Sequence, residues 1–256
     1  MLDHFAAGAT AVHRFDPVAK TLAMLAVVLT VVLVTDGFLP LVPVAIAMAV
    51  YHAVGHVPLG YTLKRLLIVS PFAVGIAVFF PLLEPGRAVF TCPVGPWTLT
   101  VTDAGLLRAA GLLAKFALSV WATLLLLSTT RFPDVVQALA RLRVPRAFTV
   151  QLAFLYRYLW VLVDESMRMR RARLARDGGH GPPGLRFRAG AGIVGVLFLR
   201  TYDRAERIYW AMAARGFDGT LHSAIHGHMH ARDWLLVVLT VAGGAGIVVW
   251  NRVCHG

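Results

Sequence analysis

Five apolar runs, each near the length that crosses a bilayer, decide what this chain can become. They are Thr21 to Val34, Phe38 to Val54, Leu66 to Leu83, Ala104 to Ser128 and Trp234 to Trp250. A spanning helix takes roughly 20 mostly apolar residues, because hydrocarbon offers no partner to backbone groups left outside a helix. The first run sits in a longer helix whose start is written as Asp16-Pro17, an N-cap carboxylate before a proline suited to the first turn. Pro40 and Pro43 fall near the start of the second, where a missing amide donor matters little. A polar connection, Tyr51-His52 through Lys64-Arg65, separates the second run from the third. Arg87 to Thr102, with Pro93, Gly95 and Pro96, reads as an irregular loop with room for a β-hairpin fragment. Arg108 and Lys115 interrupt the fourth run, and the sequence leaves open whether they snorkel or face the protein interior. Only 15% of the residues are charged, against about a quarter in soluble domains, so much of the surface must face lipid.

The loops orient the runs. Asp36-Gly37 carries no Lys or Arg, whereas Lys64 and Arg65 precede the third run and an arginine-rich block follows the fourth. Positive-inside bias therefore predicts a cytoplasmic N-terminus and block, with the C-terminus outside. Asp3, Arg14, Asp16 and Lys20 precede a run long enough to span, which does not fit a signal peptide. The expectation is an all-α integral membrane protein of about five spans. It divides into residues 1–130 with four spans, a cytoplasmic helical domain over 131–231, and a last helix over 232–256 with Trp234 and Trp250 at its two interfaces.

Between Arg131 and Asp218 stand sixteen arginines against seven acids, which accounts for nine of the chain's twelve net positive charges. Phe132 to Leu142 predicts a short helix closed by Val144-Pro145, and Thr149 to Arg176 a long one, apolar first and basic later. Residues 177–184 form a Gly/Pro linker. Gly192 to Leu199 is too short to span and is expected to be buried or interfacial. It continues with Tyr202, Ala205, Tyr209 and Met212 on one face. Asp164 with Arg168, and Asp203 with Arg207, are spaced for i,i+4 ion pairs, while Arg170, Arg171, Arg173 and Arg176 have no acid placed to neutralise them. Two basic helix ends, Ala175-Arg176-Asp177 and Ala214-Arg215-Gly216, share one design. Such ends suit either anionic lipid or an acidic groove on a protein, where arginine gives charge-assisted contacts.

Other motifs carry less. Gly190-Ala-Gly-Ile-Val-Gly195 matches a dinucleotide fingerprint as a string but has no preceding strand, so close helix packing is the better expectation. No phosphate-binding loop of the Walker type occurs, so ATP would be handled by another chain. His222, His226, His228 and His230, or His52 with His56, could ligate nickel, cobalt or zinc, which gives a rival reading as an intramembrane metal-dependent enzyme. A polar interfacial linker explains the first group better, since the runs are nearly free of further ligands. Cys92 and Cys254 have no metal or disulfide spacing. Nucleic acid is not expected, because the basic region lacks interleaved stacking aromatics.

Several stretches resemble the transmembrane T component of energy-coupling-factor transporters, the EcfT/CbiQ/NikQ family, along most of the chain. They are Phe15-Asp16-Pro17-Val18-Ala19-Lys20, Leu142-Arg143-Val144-Pro145, Tyr156-Arg157-Tyr158 before Asp164-Glu165, and Ala213-Ala214-Arg215-Gly216-Phe217. The last of these, with Tyr-Arg-Tyr, leans toward the cobalt/nickel branch, most like CbiQ. The resemblance implies two coupling helices ending in Ala-Arg-Gly-like motifs. Ala214-Arg215-Gly216 matches directly; Ala175-Arg176-Asp177 has Asp for Gly, with Ala172-Arg173 as an alternative register. It further implies a non-catalytic subunit of the plasma membrane without a cofactor of its own. Two ABC-type ATPases would hold ATP and magnesium, and a small CbiM/NikM-like membrane subunit would take the substrate, cobalt or nickel.

Overall fold

The structure, a computed structural model, describes residues 12, 15–34, 38–94, 97–177, 182–219 and 229–255. In chain order they form α1 (Pro17–Leu33), α2 (Leu41–Gly55), α3 (Leu59–Ala77), α4 (Phe80–Leu83), β1 (Ala88–Val94), β2 (Trp97–Thr102), α5 (Asp103–Thr129), α6 (Phe132–Arg141), α7 (Arg146–Asp177), α8 (Pro183–Ala213) and α9 (Ala231–His255). The chain separates into two compact units, residues 1–138 with 227–256, and residues 139–226.

The first unit is an antiparallel array of apolar helices. Leu59–Leu83, Asp103–Thr129 and Ala231–Cys254 are long and apolar enough to cross a membrane; α1 and α2 are apolar but shorter, at 17 and 15 residues. At 1.5 Å per residue α1 measures about 26 Å, a little under the roughly 30 Å hydrocarbon thickness. Asp16 caps α1 as its sequence implies, its Oδ1 accepting the Val18 amide at 2.8 Å. A core of Met24, Val31, Val34, Leu41, Val44, Met48, Leu118, Ala122 and Leu125 joins α1, α2 and α5. Elsewhere large apolar side chains such as Leu67, Ile68 and Phe72 lie on the surface. That is the expected exterior for a protein solvated by lipid.

Two lysines tie α1 to α5 in reciprocal fashion. Lys20, near the start of α1 and 3% exposed, donates to the Thr129 carbonyl at the C-terminal end of α5 at 3.0 Å. Lys115, halfway along α5, donates to the Val34 carbonyl that closes α1. Each cation meets a helix C-terminus, where unpaired carbonyls and the helix dipole favour positive charge. The arrangement settles the open question of Lys115, which faces the interior; Arg108 instead pairs with Glu84 at 2.7 Å.

Helix α9 runs parallel to α1 through a stripe of Asp233, Val237, Thr240, Gly244, Ile247 and Asn251. Asp233 is 1% exposed and its Oδ1 accepts the Asp16 amide at 3.1 Å, joining the starts of both helices. A Cβ at Gly244 would collide with the Thr30 hydroxyl, so glycine there lets the backbones approach.

Four expectations need correction. The stretch from Tyr51 to Arg65 is not a connection: α2 continues to Gly55, His56 turns in the left-handed region at φ 50°, and α3 already begins at Leu59. Lys64 and Arg65 interrupt the apolar pattern without interrupting the helix, Arg65 lying over the Tyr61 ring at 4.6 Å. Ala88–Val94 and Trp97–Thr102 pair as antiparallel strands, with Thr91 opposite Thr100, so the hairpin alternative holds in place of the irregular loop. Gly192 to Leu199 belongs to the 31-residue α8 and is not buried. Gly190, Gly192 and Gly195 have no neighbour within 4 Å of an added Cβ, so they serve no close helix packing among the described residues.

Replacing Lys20 by Met should destabilise the first unit strongly, because it uncaps α5 and removes the cation that Asp134, Asp16 and Asp233 act on. Removing one partner from a buried charge arrangement costs about 3–5 kcal/mol. The thermal midpoint of the detergent-purified protein should fall clearly, and an unchanged midpoint would refute the assignment.

Candidate coupling surface

The second unit is built differently. None of the described residues of α8 is buried, and Tyr202, Ala205 and Tyr209 are exposed along with its arginines.

The end of α8 is a compact C-cap. The Phe217 amide donates to the Met212 carbonyl at 3.1 Å and the Gly216 amide to the Ala213 carbonyl at 3.0 Å. This is the paired bonding of a Schellman motif, with Gly216 at φ 73° in the left-handed position. The string Ala-Arg-Gly-Phe thus has a local physical reason. Glycine allows the turn, and the residue before it, Arg215, is held exposed on the last ordered turn.

The first end is not a copy. Arg176 lies within the last turn of α7, which runs through Asp177, and both Ala175 and Arg176 are exposed. Arg173 lies one turn earlier, is only partly exposed and already has a partner within the chain. The residues after Asp177 that would carry an equivalent glycine turn lie outside the described residues.

A second Schellman motif closes α6. Val144 donates to the Leu139 carbonyl at 3.1 Å and Arg143 to Ala140 at 3.2 Å, with Arg143 itself at φ 62°. Here an arginine occupies the place that favours glycine, and the following Val144-Pro145 lets α7 start at Arg146.

Helices α7 and α8 meet where Val161, Leu162 and Glu165 face Leu197, Arg200 and Arg204. Sequence spacing favoured Asp164 for Arg168, but Arg168 pairs with Glu165 instead, Nη2 and Nε donating to Oε2 at 2.8 and 3.2 Å. An i,i+3 pair is as accessible on a helix as an i,i+4 pair. Glu165 Oε1 accepts from Arg200 of α8. Hydrogen bonds from Arg168 first, and Arg200 second, hold the Glu165 carboxyl below the ordinary carboxylate range, so it stays charged at neutral pH. No ion pair joins Asp203 to Arg207 among the described residues. Sequence reasoning missed the Glu165–Arg200 link, since its members are 35 residues apart.

This crossing fixes the spacing of the two arginine ends. Arg176 lies 11 residues beyond Glu165 on α7, and Arg215 lies 15 beyond Arg200. Those arms are roughly 17 and 22 Å long at 1.5 Å per residue. The few residues between α7 and α8 can reach only about 20 Å, which forces the start of α8 beside the end of α7. The C-terminal arm of α8 therefore points the other way, and the two arginine positions are roughly 35–40 Å apart.

The described histidines do not converge. His52 is buried and its Nδ1 accepts from Trp121 Nε1 at 3.2 Å, whereas His56 is exposed at the α2 C-cap. His230 neighbours Asp233, its Nδ1 3.7 Å from Oδ2. His222, His226 and His228 lie outside the described residues. Among the described residues no three metal-ligating side chains are grouped.

Comparison with known proteins turns these features into a family. Residues 8–226 match the cobalt transport protein family CbiQ. The chain belongs to that family. It is 27% identical to the cobalt transport protein CbiQ of Salmonella typhimurium, over 65% of this chain and 70% of that one. It is 24% identical to the energy-coupling factor transporter transmembrane protein EcfT of Lactococcus lactis, over 99% of this chain and 98% of the other. A putative fused cobalt transport protein CbiMQ of Methanocorpusculum labreanum is 26% identical over 58% of this chain and 25% of its own length. The family thus accounts for both the apolar unit and the basic helical unit.

Two substitutions test the caps with opposite sign. Gly216→Ala should lower the thermal midpoint, since a left-handed residue with a Cβ costs about 1–2 kcal/mol, and Arg143→Gly should raise it by relieving the same penalty. Midpoints of the purified variants that move in the same direction would contradict this reading of the two caps.

Proposed function

We propose that this chain is the transmembrane coupling subunit, the T component, of an energy-coupling-factor importer for cobalt. It carries no active site of its own. Two ABC-type ATPases dock on the second unit, one at Arg215 and one at Arg176, and supply the ATP chemistry. The apolar unit holds a small CbiM-like membrane subunit that takes the metal ion. The observation that carries this reading is the pair of exposed arginine helix ends, roughly 35–40 Å apart by helix rise and linker reach, too far apart to enter one groove.

Chemistry supports each part. An exposed guanidinium at a helix end suits charge-assisted bonding to acceptors on a partner, and its helix delivers it without fraying. The fused CbiMQ relative bears on the substrate subunit, since one chain there carries both names. An apolar groove of 690 Å³ between α2, α3 and α5, lined by Leu41, Val42, Leu63, Leu66, Leu118 and Trp121, suits a helix of that subunit. The arginine excess of residues 131–218 favours a plasma-membrane orientation with the second unit in the cytoplasm. The rival reading as a metal-dependent membrane enzyme finds no support in the family or in the described histidines.

Charge reversal tests the docking. Arg215→Glu and Arg176→Glu should each abolish Co²⁺ uptake by cells expressing the whole transporter and weaken co-purification of the ATPases, while the substrate subunit remains bound. Arg173→Glu should do less. Full transport by both of the first two variants would end the proposal, and uptake of Ni²⁺ in place of Co²⁺ would correct the substrate.

A further inference from the structure

The crossing of α7 and α8 is an unusual place to transmit force. Neither α7 nor α8 has a side chain locked in a dry core there, and a 190 Å³ cavity opens between them, lined by Val161, Leu162, Leu197 and the charged residues around them. Close packing, which normally keeps two helices from rolling, is incomplete. The Glu165 carboxylate spans the gap. Arg168, on the same helix, holds Glu165 Oε2 through two N–H groups and so fixes the side chain. The other oxygen, Oε1, is left to reach Arg200 on α8. The nearest hydroxyl, Thr201, is turned back to the Leu197 carbonyl of its own helix at 2.6 Å and spans nothing.

We infer that Glu165 is the pin of this crossing, a positioning residue that makes α7 and α8 a single lever. Resting on the docking of Arg176 and Arg215 proposed above, it gives those two ends a mechanical connection. Displacement of one arm by its ATPase turns the other about the same point. Arg168 acts through Glu165 by holding it, and Arg200 receives it. An exposed ion pair adds little to folding stability, so the pin's contribution lies in transmission and not in holding the unit together.

The test separates transmission from docking. In the complete transporter, Glu165→Gln and Arg200→Gln should each lower Co²⁺ uptake by about fivefold or more, the lower range of coupling between distant sites. Both ATPases should co-purify as with the unaltered chain. Arg200→Lys should keep most of the uptake, since a single N–H reaches Oε1. The double variant should fall no further than either single one, because each removes the same link. Unchanged uptake in the single variants, or losses that multiply in the double, would overturn the pin. Loss of the ATPases from either variant would overturn it as well, since it would make the crossing part of the docking surface. The docking reading stands or falls separately, on whether Arg215→Glu releases an ATPase.

Discussion

A backbone in hydrocarbon must find its hydrogen-bond partners within the protein, and the first unit is shaped by that constraint at its weak points. Helix interiors satisfy themselves; ends and prolines do not. Pro71, inside α3, cannot donate to the Leu67 carbonyl, and the neighbouring Ser70 hydroxyl donates there instead at 3.0 Å. At the start of α5, Thr102 accepts the Gly105 amide at 3.3 Å and donates to the Glu84 carbonyl at 2.9 Å, closing two ends with one side chain. Lys20 and Lys115 do the same for the C-termini of α5 and α1. A lysine in an apolar helix would be expensive alone. Against a helix C-terminus it is a cap that also sets the register of its helix against the neighbour.

These contacts orient the whole unit. Lys20 fixes the start of α1 beside the end of α5, and Asp233 fixes the start of α9 beside the start of α1. Helix α1 therefore runs against α5 and alongside α9. The second unit depends on a different balance. No described residue of α8 is buried, and Schellman caps at Leu139–Val144 and Met212–Phe217 set where α6 and α8 end.

Local signals in the sequence were legible; long-range ones were not. Asp16-Pro17 marks the start of α1 because N-capping is decided within three residues, and Val144-Pro145 marks the α6–α7 junction for the same reason. Gly216 after Arg215 announces a left-handed cap directly. In contrast, polarity read alone places the start of α3 too late, because Lys64 and Arg65 look like a loop although both are good helix formers. Glycines mislead in the other direction: the run at 190–195 looks like a packing motif, yet close approaches occur at Gly105, against Pro81, and at Gly244, against Thr30, 214 positions earlier in the chain. Lys115 with Val34, and Glu165 with Arg200, pair residues whose proximity exists only after the helices have docked. Adjacent acids at 164 and 165 are equivalent in composition, and only the crossing chooses between them.

The difference between the two arginine ends follows from the same distinction. Arg215 sits on a cap closed by its own backbone, so little conformational freedom remains to be lost when a partner binds it. Arg176 sits inside the last turn of a helix that continues through Asp177, one turn beyond a partly buried Arg173 with a partner of its own. Under the docking proposed above, the two ATPases would meet helix ends of different local structure. Such asymmetry needs a mechanical link to make the two arms move together, and the carboxylate between α7 and α8 is where the geometry provides one.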